Sequence, residues 1–468
     1  MKRRSSIRLL LLAAVLAGLA CATVTSAIVG TPTPPPTLTP SLTPSLTVTF
    51  TPSASPLPSL TPTRTPFPTL TAAPTFTRSA SVATPDAETV ARHGKVFQDL
   101  WNTVNDNYVY TDFRGNDWNA IGDRYRALVE AGQTDAEFYD SMREMIFELG
   151  DEHSNFQSPD EVQELDREAS GANNYVGIGI VPAGHPDKGY VSIVVTFRDS
   201  PARQAGLKPH DRILAVNGLA LMSADGFLHT ENIRGEPGTS LTLTVQTPGE
   251  AQRDVTLTRE TITGSLPIDY WLVPGTHIAY ILVPDLLDIT IPDQVLQALL
   301  DLSKDAPLEG IILDNRENSG GSTYAGEEFL GLFTKGNVGR FYGRTTSRNI
   351  HIRPNDVAGS QTLPLVVLVG PDTVSYGEIS AGVLKDQGRA TIVGETTLGN
   401  VEVSWQFDFE DGSRAWIAME RIDPAKSHTN WEVTGIVPDV MAPAEWDEVS
   451  GADDPGVQAA VGVLQGTQ

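Results

Sequence analysis

Five consecutive apolar residues, Leu365-Val366-Val367-Leu368-Val369, stop at Gly370-Pro371 and constrain everything around them. The run is too short for a buried helix and shows no polar alternation. It therefore reads as a strand covered on both faces, as in a parallel sheet. Beyond Ser375 the apolar positions Ile379, Val383 and Leu384 recur at helical spacing. A buried strand that feeds a helix points to an α/β layer fold. It also puts Ser375 on a sharp turn at a helix N-terminus, where backbone N–H groups face any negative charge forming beside the hydroxyl. A serine placed there either caps its helix or is presented as a nucleophile.

The flanking sequence supports the same layering. Strand-like runs at 278–283, 310–313, 365–369 and 391–393 alternate with helical ones at 292–302, 324–333 and 378–385, and Asp411-Gly412 marks a β-hairpin. Residues 263–445 are thus expected to form one α/β core. Upstream, 85–165 reads as a small helical domain. Thr84-Pro85 is the expected N-cap and first helical residue, followed by Val90, Phe97, Trp101, Val104 and Tyr108 on one face. Trp118, Ile121, Tyr125 and Leu128 mark a second helix. A capping box, Thr134-x-x-Glu137, opens a third that carries Phe138, Met142, Met145, Ile146 and Leu149. Residues 170–262 are β-rich, and 446–468 remain as a C-terminal tail.

The chain has 468 residues, a formal charge of −25 and one cysteine. The acidic balance argues against nucleic acid or an anionic membrane surface as a partner. A single cysteine excludes an internal disulfide and clustered thiolate metal ligands, and no motif implies a metal or cofactor. Met1-Lys2-Arg3-Arg4 and Arg8 precede an apolar run from 9 to 20, which is the pattern of an export signal. It is too short for an ordinary membrane span. Cys21 follows immediately. Its position resembles the acylated cysteine of a bacterial lipoprotein, so 1–21 is expected to be a signal peptide and the mature protein a membrane-anchored, extracytoplasmic one. Ordinary cleavage after Ala22 is the alternative. Residues 22–84 are expected to be a disordered linker, within which 31–84, mostly Thr, Pro and Ser and too poor in apolar surface to fold, form an extended tether on the order of 150 Å long.

Val374-Ser375-Tyr376-Gly377-Glu378-Ile379-Ser380-Ala381-Gly382, with Asp386-Gln387-Gly388 and Val393-Gly394-Glu395-Thr396 after it, resembles the nucleophile segment of the C-terminal processing (tail-specific) peptidases. In that family the serine lies three residues before a Glu, as Ser375 lies before Glu378. The resemblance spans about 87–443 and implies a core of the crotonase-like or ClpP-like kind. Asp314-x-Arg316-x-Asn318-x-Gly320-Gly321 resembles the family turn that lies against the nucleophile. This implies that Gly320 or Gly321 donates an N–H to the oxyanion together with Tyr376, a role for which glycine leaves the approach open. Tyr175-Val176-Gly177-Ile178-Gly179-Ile180 and the stretch from Asp199 to Gly218 resemble a PDZ domain, with His210 where a glycine is usual. Such domains add a peptide strand to a sheet edge and hold its terminal carboxylate on loop N–H groups, here those of Val176, Gly177, Ile178 and Gly179. The same domain equally fits a role as scaffold or gate.

The general base departs from the commoner branch of the family, whose lysine stands 25 positions after the serine, where this chain has Asn400. The usual glutamine four residues further on is Ser404. The tricorn-type branch instead takes a histidine from the segment before the PDZ domain and a Glu before a Gly-x-x-Pro-Asp motif. Leu149-Gly150-Asp151-x-His153-Ser154 and Glu432-Val433-Thr434-Gly435 occupy those places. The resemblance thus implies Ser375, His153 and Glu432 as nucleophile, base and orienter, with His428 as the rival base. The expected activity is that of an exported serine endopeptidase acting on proteins or peptides with free C-termini. A non-catalytic peptide-binding or scaffold protein on the same fold is the alternative.

Overall fold

A computed structural model describes residues 85–151, 153–169, 175–222, 229 and 232–467; Cys21, the apolar run before it and the Thr/Pro/Ser-rich stretch lie outside them. Three helices come first: α1 (Ala87–Asn107), α2 (Trp118–Glu130) and α3 (Asp135–Phe147). Each begins on a side-chain cap, Asp86, Asp117 and Thr134, and the Thr134–Glu137 capping box is present. The expected start at Thr84-Pro85 is corrected, since the Asp86 carboxylate accepts the Thr89 N–H and Pro85 falls before the cap. Phe97, Val104, Ile121, Tyr125 and Met142 close into one core that extends onto Ala415, Ile417 and Ala418. In α2 the turn is offset by one residue, so Val129 is buried and Leu128 faces solvent. Strand β1 (Asn155–Gln157) and α4 (Pro159–Ala169) complete this region.

The β-rich region contains β2 (Tyr175–Gly177), β3 (Ile180–His185), β4 (Tyr190–Thr196), α5 (Pro201–Gln204), β5 (Arg212–Val216), β6 (Ser240–Gln246), β7 (Arg253–Thr258) and β8 (Glu260–Ile262). Strands β3 to β7 form an antiparallel sheet in sequence order, with β3 at one edge, while β2 pairs with β8 alone. Alternation in β6 turns Leu241, Leu243 and Val245 inward, each buried against Ile193 and Ile213.

The core follows as β9 (Tyr270–Leu272), β10 (Ile278–Leu282), α6 (Ile291–Leu302), β11 (Gly310–Asp314), α7 (Thr323–Gly331), β12 (Gly336–Tyr342) and β13 (Ser347–Ile352). It continues with β14 (Leu365–Val369), α8 (Tyr376–Asp386), β15 (Thr391–Gly394), β16 (Val403–Asp408), β17 (Arg414–Pro424), α9 (Trp431–Thr434), β18 (Val440–Met441) and α10 (Pro455–Leu464). One sheet has the order β18-β15-β14-β11-β10-β9, parallel throughout except for β9. Ile311, Leu313, Val367 and Val369 point into the cluster built with α6, α7 and α8. Ile312, Val366 and Leu368 point the other way, onto Val457, Ala460 and Trp446. Burial on both faces is why these strands are continuously apolar. A second, antiparallel sheet, β1-β17-β12-β13 with β16 on β17, joins the helices to the core.

The C-terminal residues carry structure of their own. Trp446 is buried, donates its indole N–H to the Ile193 carbonyl (3.0 Å) and packs against the His210 ring, with centroids 3.8 Å apart and the planes tilted by 31°. Arg212 donates to the Asp447 carbonyl at 2.7 Å. The segment therefore ties the five-stranded sheet to the core, and His210 fills the place of the usual glycine with a ring that packs there, at φ +75°. Among the described residues no helix is long and apolar enough to cross a membrane.

Candidate active site

Ser375 is the N-cap of α8, yet its side chain makes no capping hydrogen bond, and its backbone sits at φ +54°, ψ −124°. A non-glycine residue in that region is strained, by roughly 1–3 kcal/mol, and persists only where its surroundings hold it. Three neighbours do so. Ser375 N–H donates to the Asn400 carbonyl (2.8 Å), Val374 N–H to the Asn318 carbonyl (3.0 Å), and the Ser375 carbonyl accepts from Ile379. The strained turn lifts the hydroxyl off the helix, while the Tyr376 N–H, first in α8, has no partner within the helix.

The glycine turn lies directly against this serine. A Cβ on Gly320 would stand 2.5 Å from Ser375 Cβ, 3.0 Å from its Oγ and 3.2 Å from the Tyr376 nitrogen. Only glycine leaves that space open, and the backbone there is at φ +95°. The Gly320 N–H is engaged by Asn318 Oδ1 at 2.9 Å. Leu286 pairs across Gly321, taking the Gly320 carbonyl on its N–H and giving its own carbonyl to Ser322. In a parallel bridge the residue between those bonds turns its own N–H to the other side. Asp314 and Arg316 anchor the turn from below: Arg316 binds Asp314 and Asp454, each at 2.6 Å, and Tyr280 donates to Asp314.

Glu378 is fully buried and organises the loop that holds Ser375. Its carboxylate accepts the Thr397 hydroxyl, the Gly399 N–H (2.7 Å) and the Asn400 N–H (2.8 Å). Asn400, in the position of the family's lysine, thus contributes its backbone: the N–H binds Glu378 and the carbonyl receives the Ser375 N–H.

His153 is reached through the next residues of the same loop. Asp151 Oδ1 accepts the His153 N–H at 3.0 Å, and Ser404 Oγ donates to the His153 carbonyl at 3.2 Å, fixing the turn after α3. Its Nε2 lies 4.0 Å from Oε2 of Glu402, whose side chain is 1% exposed. Val401 N–H donates to Glu432 Oε2 at 3.0 Å, and Arg114 lies 3.6 Å from the other oxygen. Burial and a hydrogen bond with Glu402 push the Glu432 carboxyl up to about 9, against the opposing pull of the Val401 N–H and Arg114. Glu402 also accepts the Tyr110 hydroxyl. Burial first, and Glu402 second, push that phenol far above its usual range, so it stays a donor.

The residues singled out in the sequence thus fall into groups. Ser375, Gly320, Tyr376, Glu378 and Asn400 meet at one turn; His153 and Glu432 face the next residues of that loop, Glu402 and Val401 respectively. His428 stands apart on the loop after β17, exposed, with Nδ1 2.7 Å from Asp423. Val176 and Gly177 pair with β8, and the Ile178 and Gly179 carbonyls accept the N–H groups of Ala202 and Phe197. Sequence reasoning did not single out Glu402, Tyr110 or Arg114. The available signal was a carboxylate between two valines, Val401-Glu402-Val403, which is unusual beside a strand.

Comparison with known proteins bears on the core and on the helical front. Peptidase family S41 matches residues 277–442, and the tricorn protease C1 domain matches 91–147. The carboxyl-terminal-processing protease of Synechocystis sp. is 28% identical over 392 residues, 82% of this chain and 89% of its own. The chloroplastic C-terminal processing peptidase of Tetradesmus obliquus is 28% identical over 375 residues, 77% of this chain and 79% of its own. Among solved structures, a photosystem II D1 C-terminal processing protease shares the fold at TM-score 0.53 and 26% identity, covering 75% of this chain and 92% of that one. A strained serine turn in a core similar to peptidase family S41, within a chain similar to processing proteases along most of its length, makes this protein a serine-type peptidase.

Proposed function

We propose that the protein is an exported endopeptidase that cleaves protein substrates at C-terminal or unfolded tails through an acyl-enzyme. The observation that carries the proposal is the Ser375 backbone at φ +54°, ψ −124°, strain that capping alone does not require. Ser375 Oγ attacks the peptide carbonyl and gives its proton to His153, which passes it to the departing amine. The Tyr376 N–H and the glycine turn stabilise the oxyanion. Because the Gly320 N–H is already bound to Asn318, the donation from that turn falls to Gly321. Asn400 cannot serve as base, since a carboxamide does not take up a proton near neutral pH.

The tail reading draws on the 176–179 turn, which runs straight into β3, the edge strand of its sheet. An extended peptide added there would place its carboxylate near that turn, as a PDZ domain does. Export and anchoring rest on the basic and apolar start of the chain and on Cys21, which multiple acyl chains would fix stably to a membrane. Two measurements test the function. A fluorophosphonate probe should label the protein and fail to label Ser375→Ala; an unlabelled, folded wild type contradicts a catalytic serine. Peptides with free apolar C-termini should be cleaved faster than their amidated forms, and equal rates would contradict tail recognition.

A further inference from the structure

Glu402 has no assigned role, yet it is the carboxylate that meets His153. Its side chain is 1% exposed, and burial of an ionised carboxylate costs several kcal/mol unless partners compensate. Its partners come from three parts of the chain. Tyr110, after α1, donates to Oε1; Glu432, in α9, hydrogen-bonds the same carboxylate; His153, after α3, faces Oε2. Oε2 and His153 Nε2 are both buried without a hydrogen-bond partner, and they face each other at 4.0 Å. That gap is about 1 Å longer than a hydrogen bond, the slack that catalytic pairs commonly show before substrate binds.

We propose that Glu402 is the positioning residue of this site, the carboxylate that orients His153 and stabilises its imidazolium when Ser375 releases its proton. This rests on His153 being the base. In the step, the Ser375 O–H bond breaks, an N–H bond forms at His153 Nδ1, and the oxygen's electron pair goes to the substrate carbonyl carbon. Glu402 holds the Nε2–H and faces the positive charge that forms on the ring. Glu432 plays a different part. Burial first, and its hydrogen bond with Glu402 second, push its carboxyl up to about 9, so near neutral pH the Glu402–Glu432 pair shares a proton between the two carboxyls. Arg114, 3.6 Å from Glu432, Asp151, which accepts the His153 N–H, and Arg421, 5.2 Å from the ring of Tyr110, are the other charged groups near the pair.

The test is Glu402→Gln, which keeps an acceptor for Tyr110 and removes the charge. Its kcat on a peptide substrate should fall about 10²–10⁴-fold with KM nearly unchanged, and the acid limb of the kcat profile should move to lower pH by about one unit. Glu402→Asp should keep the wild-type limb with an intermediate rate. If Glu402→Gln does not fold, Glu402→Asp carries the test, because withdrawing the carboxylate by one methylene must itself lower kcat. Unchanged kcat and an unmoved limb, with His153→Ala inactive, overturn the role of Glu402 and leave the base reading standing. An active His153→Ala removes the base reading, and the role of Glu402 with it.

Discussion

Replacing Glu378 by Gln changes one atom and strands a donor. The carboxylate accepts from Thr397 and Gly399 on Oε1 and from Asn400 on Oε2, so every direct partner is a donor. Burial pushes its pKa up, and the hydrogen bonds from Thr397, Asn400, Gly399 and Ser375 pull it back. A glutamine keeps the two contacts on Oε1, but its NH₂ then meets the Asn400 N–H head on. Losing one hydrogen bond to a charged group is about 1.5–3 kcal/mol, and leaving a part-buried N–H unpaired adds about 1–3 kcal/mol, together roughly 2.5–6 kcal/mol. The damage passes to Ser375, because the same Asn400 receives the Ser375 N–H at 2.8 Å. A displacement near 1 Å there is expected to lower kcat about 10²-fold. Urea denaturation and turnover of one peptide substrate measure both. A variant within about 0.5 kcal/mol of wild type and fully active would show a neutral Glu378, and would refute the reasoning.

Three further outcomes follow from other parts of the structure. Gly320→Ala should lower kcat about 10²–10³-fold, because its Cβ would stand 3.0 Å from Ser375 Oγ and 3.2 Å from the Tyr376 nitrogen; wild-type fluorophosphonate labelling would contradict this. Trp446→Ala should destabilise by about 3–5 kcal/mol, with amide exchange rising first in β4 and β5, where the indole and its contact with His210 are lost. Glu432 is raised from 4.5 to about 9, so between those values the folded protein holds a proton that the unfolded chain has released. Stability should therefore fall as pH rises through that window, and Glu432→Gln should flatten the fall in thermal melts at about pH 6 and about pH 8.5.

Local chemistry was the legible part of the fold. The run 365–369 is β14 at those same boundaries, and the Thr134–Glu137 box opens α3, because both signals lie within a few residues of what they specify. The hairpin at Asp411-Gly412 joins β16 to β17 for the same reason. Contacts between distant segments were not legible. Glu402 acquires its meaning from Tyr110 and His153, each separated from it by more than two hundred residues, and no spacing rule connects them. Trp446 lies in what the sequence presents as a tail, and His210 in what reads as a turn missing its glycine; only the fold brings the two rings into contact. The offset from Leu128 to Val129 in α2 has a simpler cause: adjacent apolar residues leave the helix face ambiguous, and packing decides which is buried.

The central claim is that Ser375 acts with His153 in place of the lysine that Asn400 replaces. Turnover of one unfolded protein substrate, casein for instance, by wild type, Ser375→Ala and His153→Ala across a range of pH tests it most directly. Both variants should lose several orders of magnitude in kcat, since members of such a unit fail together. The wild type should lose activity on the acid side as an imidazole base does, about pH 6.5 for the free side chain. Near-normal turnover by His153→Ala beside an inactive Ser375→Ala would contradict the account and turn attention to His428.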